Sequence, residues 1–133
     1  MMVIKEMSIR YRLTEVKDNI SNKPKRGYYA QVVTKGTIDT ETLCQHIASS
    51  CSLTTADMAA AIIALSQNIT NYLLEGYNVN INGIGTFSLS AESEVVENEK
   101  DLKAHSVRVK NVNFRSAVSL KKAMTKSKFV KVR

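Results

Sequence analysis

The most regular apolar pattern in the chain repeats at intervals of four and three residues, which predicts a long helix with one apolar seam. The seam consists of Met58, Ile62, Leu65, Ile69 and Tyr72. Thr54 and Asp57 form a capping-box pattern before it, with Asp in place of Glu, and Glu75-Gly76 ends the helix. Ala61, Ile63 and Leu73 widen the seam beyond what one short neighbouring helix can cover. We therefore expect a second subunit to cover it.

A shorter amphipathic pattern predicts a preceding helix, from the N-cap Asp39 to about Ser50. Cys44 and Cys51 fall on one face of this pattern, about 10 Å apart at ~1.5 Å rise per residue, which is too far for a disulfide. We expect reduced, buried thiols. Metal ligation by Cys44 with His46 is the weaker alternative, because these positions diverge around the helix and no second ligand pair follows.

Alternating apolar and polar residues predict strands on both sides of the two helices. Residues 7–16 and 28–34 should pair as a hairpin across the polar loop 17–27. After the second helix, a further hairpin is expected around the turn Gly83-Ile84-Gly85. Its apolar face consists of Val79, Ile81, Phe87 and Leu89.

Residues 91–101 are polar and mostly acidic, which predicts an extended, mobile excursion. Apolar alternation then resumes at Val109 but is out of phase by one residue at Phe114. This phase change predicts a β-bulge near Lys110 or Asn111.

Charge is distributed unevenly along the chain, which has 19 Lys and Arg, 12 Asp and Glu, and a net charge of +7. Residues 1–35 carry eight basic and three acidic groups, and residues 36–99 carry eight acidic groups and no basic one. From position 100 onward, 11 basic groups oppose one acidic group. This last segment, with a final helix predicted over residues 116–127, should supply most of a surface for an anionic partner.

No segment suits a membrane span or a secretory signal. The longest nearly apolar run, residues 58–65, is far shorter than the roughly 20 residues of a membrane helix. The N-terminus alternates charged and apolar residues, so we expect an intracellular protein. No phosphate loop or dinucleotide signature occurs, and His46 and His105 lack neighbours that suggest a catalytic triad. We expect no enzyme activity, cofactor, metal, membrane contact or small-molecule substrate.

The order of these elements resembles the bacterial histone-like HU and integration host factor family. The resemblance runs over residues 39–90 and 107–124. It is carried by Leu43 and Ile47, by Glu75-Gly76, by Gly83-Ile84-Gly85-Thr86-Phe87 and by Phe114-Arg115. The residues that precede this core are similar to those of the subgroup found in Bacteroides-type bacteria.

The resemblance implies an α+β fold that forms an intertwined homodimer. Each subunit would have two N-terminal helices, a three-stranded antiparallel sheet with an arm, and a C-terminal helix, with an extra N-terminal β-hairpin in this chain. Phe87 would join the seam of the second helix in the shared dimer core. We expect residues 1–35 to form the extension and residues 36–133 the DNA-binding core.

Contacts to DNA phosphates are expected from exposed cations on the last strand, the last helix and the excursion. These are Arg108, Lys110, Arg115, Lys121, Lys122 and Lys103. Arg115 and the N–H groups at the start of the last helix should form an anion site. The resemblance also makes Gly83 and Gly85 a turn that a phosphate approaches closely, with a plain hairpin turn as the equal alternative.

The chain departs from the family at several positions. The family arm is arginine-rich and ends in a proline that kinks DNA, whereas residues 91–107 contain no proline and begin with acidic groups. Ala117 replaces a glycine, and Val118 replaces a common lysine. We therefore expect little kinking. A second contact patch, with tyrosines stacking on bases, is the less favoured alternative to a solvated loop at Lys23, Lys25, Arg26, Tyr28 and Tyr29.

These observations predict a histone-like protein that binds duplex DNA with little sequence preference, as a homodimer in the cytoplasm, and organises the nucleoid. The alternative is a protein-interaction or scaffolding module that has the same dimer core and weak or no DNA binding. Basic residues scattered around the surface, or paired with the carboxylates from Glu92 to Glu99, would favour the alternative. One continuous cationic stripe would favour DNA.

Overall fold

The computed structural model describes residues 7–17 and 27–132 and forms two compact units. The terminal unit contains the described residues up to position 38 and those from Ala123 onward. The central unit spans residues 39–122. The described residues form three α-helices and two three-stranded sheets, so the α+β class is confirmed.

The terminal unit contains a mixed sheet. Its strands are β1 (Ile9–Glu15), β2 (Tyr28–Val33) and β6 (Phe129–Lys131), in the order β2-β1-β6. Strands β1 and β2 pair antiparallel, as predicted, whereas β1 and β6 pair parallel. Most of the polar loop predicted between β1 and β2, at residues 18–26, lies outside the described residues.

Strand β6 was not predicted, because the last helix was expected to continue to Ser127. That helix, α3, instead spans Val118–Met124, and its chain re-enters a strand at Phe129. Aromatic and β-branched residues at Phe129 and Val130 suit a strand. Lys126, Lys128 and Lys131 surround these residues, so the apolar pattern is too short to indicate a strand in the sequence. Pairing with β1 places residues 129–131 in the terminal unit.

The central unit begins with two helices, α1 (Thr40–Ser50) and α2 (Thr55–Leu74), whose starts were predicted correctly. The Thr42 N–H donates to Asp39 Oδ1 at 2.8 Å, which satisfies one free donor at the start of α1. At α2, Thr54 and Asp57 form the complete capping box, with reciprocal hydrogen bonds of 3.0 and 3.3 Å.

The sheet of the central unit is antiparallel, in the order β3 (Val79–Ile81), β4 (Gly85–Glu92) and β5 (Arg108–Ser116). The register of β4 and β5 shifts between Ser90, which pairs with Asn111, and Ala91, which pairs with Val109. Lys110 is therefore the extra residue of a bulge, as predicted. The chain between β4 and β5 contains two short 3-10 turns, Glu99–Asp101 and Ala104–Ser106, so it is not the fully extended excursion that we expected.

Few apolar side chains are buried in a single copy of the chain. Among the described residues, only Cys44 and Leu73 are buried apolar side chains. Phe87 packs against Phe114 across the sheet, with ring centroids 5.0 Å apart. Leu65 is 42% and Tyr72 50% exposed, while the seam residues Met58, Ile62 and Ile69 are half-buried. The expectation of two buried thiols is wrong for Cys51, which is exposed because α1 ends before it.

Candidate nucleic-acid interface

One face of the central sheet is lined by small polar side chains. Cross-strand partners share a face, so the pairs Asn80 with Thr86, Ser88 with Asn113, and Ser90 with Asn111 lie on the side opposite Phe87 and Phe114. Asn80 Nδ2 donates to Thr86 Oγ1 at 2.8 Å. An arginine stands at each end of this polar face, Arg115 beside Thr86 and Arg108 beside Glu92.

An open concavity of about 350 Å³ lies at the Arg115 end. Its polar lining residues are Asn80, Asn82, Thr86, Arg115 and Ser116, with Gly83 at the turn. The lining contains a guanidinium, two amides and two hydroxyls, and it includes no carboxylate. These are the donors that bind a phosphate, because the planar guanidinium can form two parallel hydrogen bonds to it. The structure thus brings together two predicted site residues, Arg115 and Gly83.

The two glycines of this turn are favoured for different structural reasons. Gly83 has φ +78°, a left-handed conformation that favours glycine, and an added Cβ would have no atom within 4 Å. A Cβ on Gly85 would lie 2.4 Å from the Arg115 carbonyl oxygen and 2.7 Å from the Phe114 ring. Gly83 therefore leaves open space for a ligand, whereas Gly85 allows two strands to approach each other.

The anion site expected at the start of α3 lacks one of its donors. The Ala117 N–H already donates to the Ile84 carbonyl at 2.9 Å, which ties α3 to the turn. Helix α3 has only seven residues. The side chains of Arg115 and its neighbours, and not the helix terminus, are therefore the groups that could hold an anion at this place.

Arg108 is exposed, as predicted, but it is paired. Its Nε lies 2.8 Å from Glu92 Oε1 across the strand pair, and the two side chains are 66% and 41% exposed. An ion pair this exposed is screened by water and adds little to stability. Glu92 nevertheless offsets the charge that Arg108 would present to a phosphate. This contact is of the kind that we expected from the scaffolding alternative.

The other predicted cations lie apart from the concavity and are all exposed. Lys110 is the bulge residue of β5, and Lys121 and Lys122 lie in α3. Lys103 precedes the second 3-10 turn, and its carbonyl accepts a hydrogen bond from Ser106 Oγ at 2.7 Å.

The second patch predicted around Tyr28 and Tyr29 is only partly described. Lys23, Lys25 and Arg26 lie outside the described residues. Tyr28 and Tyr29 are both exposed on β2, where successive side chains point to opposite faces of the sheet. One flat surface therefore cannot stack on both rings.

Summing charge along the chain concealed how it divides between the units. The central unit carries seven Lys and Arg against nine Asp and Glu, a net charge of −2. The described residues of the terminal unit carry seven Lys and Arg against Glu15 alone, a net charge of +6. The basic C-terminal segment is divided because the units separate at residue 122. Most of the cationic excess thus belongs to the terminal unit, which joins residues of the predicted extension to the last residues of the predicted DNA-binding core.

The described part of the chain contains neither a cluster of metal ligands nor a membrane-spanning helix. Residues 7–17 and 27–132 contain no group of three His, Cys, Asp or Glu side chains placed to hold a metal ion. No helix within the same ranges is long and apolar enough to cross a membrane.

Comparison with known proteins identifies the family of the chain. No curated protein matches it. A crystal structure of a candidate bacterial DNA-binding protein from Bacteroides vulgatus matches 96% of this chain, with a TM-score of 0.67 and 16% identity. The chain spans about half of that protein, 49% of its length. The family model HU-HIG, an HU domain fused to a wHTH, Ig or glycine-rich motif, matches residues 7–131. The chain therefore belongs to the HU-HIG family of HU domains.

Proposed function

We propose that this protein binds the phosphate backbone of duplex DNA through the polar face of its central sheet. The observation that carries the proposal is the Arg115 concavity, where a guanidinium, amides and hydroxyls converge and no carboxylate lines the space. Side chains of this kind contact phosphates and sugars, which carry no sequence information. Binding is accordingly tolerant of sequence, and Gly83 leaves room for the backbone to approach.

The proposed binding through the polar face does not require the protein to kink DNA. Residues 93–107 contain no proline to wedge between base steps, and their first half carries Glu94, Glu97 and Glu99. Lys110, Lys121, Lys122 and Lys103 then add phosphate contacts away from Arg115 without intercalation. Arg108 adds less, because it is paired with Glu92. The protein covers and organises DNA in the nucleoid, and so acts in the cytoplasm and not as an enzyme.

The active form in this proposal is a homodimer. Leu65 and Tyr72 on α2 remain about half exposed, and the central unit has only two buried apolar side chains. A second copy that lies against the α2 seam removes this apolar surface from water, at about 25 cal/mol per Å². Phe87 and the half-buried Met58, Ile62 and Ile69 extend the same interface. A two-fold arrangement also presents two Arg115 sites to one duplex.

Arg115→Gln tests this function, and Arg108→Gln is the matched control. Both changes remove one guanidinium from β5, but only Arg115 lines the concavity, and Arg108 is paired with Glu92. We expect Arg115→Gln to lower the slope of log affinity against log salt by about 0.9 and Arg108→Gln to lower it less. The measurement is fluorescence anisotropy with a mixed-sequence duplex at several salt concentrations. Equal effects of the two changes would contradict the assignment of Arg115.

A scaffolding module is the second candidate function, because Arg108 pairs with Glu92 and the central unit is net acidic. Such a module keeps the dimer and binds a protein partner instead of DNA. The same titration separates the two functions. A wild-type dimer that shows no salt-dependent binding to duplex DNA would end the DNA proposal and favour the scaffolding candidate.

A further inference from the structure

A second concavity, of about 410 Å³, lies wholly within the terminal unit, which carries the cationic excess of the chain. Its polar lining residues are Lys35, Lys126, Lys128, Ser8 and Ser127. The remaining lining consists of apolar residues and backbone, without a carboxylate. Three lysines and two serines therefore border one space.

The sheet topology explains why these lysines meet. Strand β2 runs antiparallel to β1, so the end of β2 lies beside the start of β1, with Val33 opposite Arg10. Strand β6 runs parallel to β1, so the start of β6 lies at the same end of the sheet, with Phe129 opposite Ile9. Lys35 follows the first of these ends, and Lys128 immediately precedes the second. Two strand ends thus place Lys35 and Lys128 at the same end of the sheet.

Hydrogen bonds to the backbone stabilise the segments that carry these lysines. The Thr34 hydroxyl accepts from the Gly36 N–H at 3.1 Å and donates to the Gly36 carbonyl at 2.9 Å, which closes the turn around Lys35. The Ile9 N–H donates to the Lys128 carbonyl at 2.8 Å. The Ser127 N–H donates to the Met124 carbonyl at 3.1 Å, which fixes the turn that follows α3. Each segment that carries a lysine of this set is therefore hydrogen-bonded next to the concavity.

The three lysines have no counter-charge among the described residues. No ion pair joins Lys35, Lys126 or Lys128 to a carboxylate within residues 7–17 and 27–132. Like charges around one space repel one another, and an anion between them relieves that repulsion. A phosphate fits this set, since ammonium groups act as point charges toward phosphate oxygens and the Ser8 hydroxyl can donate to one. The Ser127 hydroxyl already donates to the Met124 carbonyl.

We propose that Lys35, Lys126 and Lys128 form a lysine cradle that binds a backbone phosphate of the same duplex. This inference rests on the proposed DNA binding and assigns a second, separate contact to the terminal unit. The cradle gives the terminal unit a function in DNA binding. It supplies positive charge that the central unit, with a net charge of −2, lacks. DNA contacts in this protein then come from both units.

The test compares two triple variants of the full chain. The cradle variant carries Lys35→Gln, Lys126→Gln and Lys128→Gln. The matched control carries Lys17→Gln, Lys100→Gln and Lys131→Gln, which remove the same charge from exposed lysines outside the concavity. Circular dichroism and sedimentation verify that both variants fold and assemble like the wild type. Affinity for a mixed-sequence duplex is measured over a range of salt concentrations.

We expect the cradle variant to lose one phosphate contact, and thus about 0.9 from the salt slope. Its fall in affinity between 50 and 200 mM salt is then about 3.5-fold smaller than that of the wild type. The control variant keeps a slope close to the wild type. Equal slopes in the cradle and control variants overturn the cradle but leave DNA binding intact. A wild type that does not bind the duplex overturns both.

Discussion

At the scale of single residues, the two glycines of the β3–β4 turn illustrate how similar sequence signals have different physical causes. The sequence indicated only a turn, or a place where a phosphate approaches. Gly83 adopts a left-handed φ in open space, whereas Gly85 lies against the Arg115 carbonyl and the Phe114 ring. The first is a constraint on backbone conformation and the second a constraint on volume.

The two constraints predict different tolerance to substitution. Gly83→Asn should cost little, because Asn adopts left-handed conformations more readily than other residues, whereas Gly83→Ala should cost about 1 kcal/mol. Gly85→Ala should cost about 1–3 kcal/mol, because the strands must move apart. Urea denaturation of the three variants measures these free energies of unfolding. A Gly85→Ala protein as stable as the wild type would exclude the close approach.

The basic residues also differ when they are considered one by one. Arg115 and Arg108 occupy the same strand and have the same exposed, strand-end positions in the sequence pattern. Only the structure pairs Arg108 with Glu92, and only Arg115 borders the polar concavity. The alternation of apolar residues predicts which face a side chain lies on, but a cross-strand partner depends on the register of two strands.

At the scale of elements, local interactions made the predictions accurate. The starts of α1 and α2 were predicted from Asp39 and from the Thr54–Asp57 pair, because a capping side chain bonds to the backbone within three residues. The bulge at Lys110 was predicted from a change of phase within one strand. Strand β6 was missed, because its pairing with β1 is a contact between distant parts of the chain.

The cap of α1 makes stability depend on pH. Hydrogen bonds from the Thr42 hydroxyl and backbone N–H lower the pKa of Asp39 from its usual value. The ionised cap therefore stabilises the fold above the unfolded-state pKa, about 3.9 for Asp, and this contribution is lost as pH falls through the lower folded value.

Asp39→Asn should remove this acid dependence, because Asn caps a helix without titrating. We expect the variant to match the wild type near neutral pH and to lose less stability on acidification. Urea midpoints measured along a pH series provide the comparison. Glu41→Gln, which changes charge in the same first turn and leaves the Asp39 hydrogen bonds in place, is the control. An Asp39→Asn protein with the acid response of the wild type would argue against a titrating cap.

At the scale of the whole molecule, the main feature is the apolar surface that a single copy of the chain leaves exposed to water. Within residues 7–17 and 27–132 of this 133-residue chain, only two apolar side chains are buried. The α2 seam is the most regular part of this surface. Its pattern predicted a subunit interface, and the exposed Leu65 and Tyr72 support the same proposal.

Leu65→Lys tests the homodimer. A lysine in a buried interface must lose its hydration without a partner, so the dissociation constant of the dimer should rise by at least about tenfold, equivalent to ~1.4 kcal/mol. Gln67→Lys adds the same charge on the opposite side of the helix and should leave assembly unchanged. Sedimentation velocity over a concentration series gives the dissociation constants. A dimer equally stable in both variants would place the interface elsewhere.

The sequence alone determined the α+β class, the helix starts, the bulge and the family resemblance, because each depends on interactions or patterns within a short stretch of chain. The tertiary structure decided which charges act together. It joined Arg115 to the open turn at Gly83, paired Arg108 with Glu92, and brought Lys35 beside Lys126 and Lys128. These arrangements depend on strand register and on the parallel pairing of β1 with β6, which connect residues far apart in the chain.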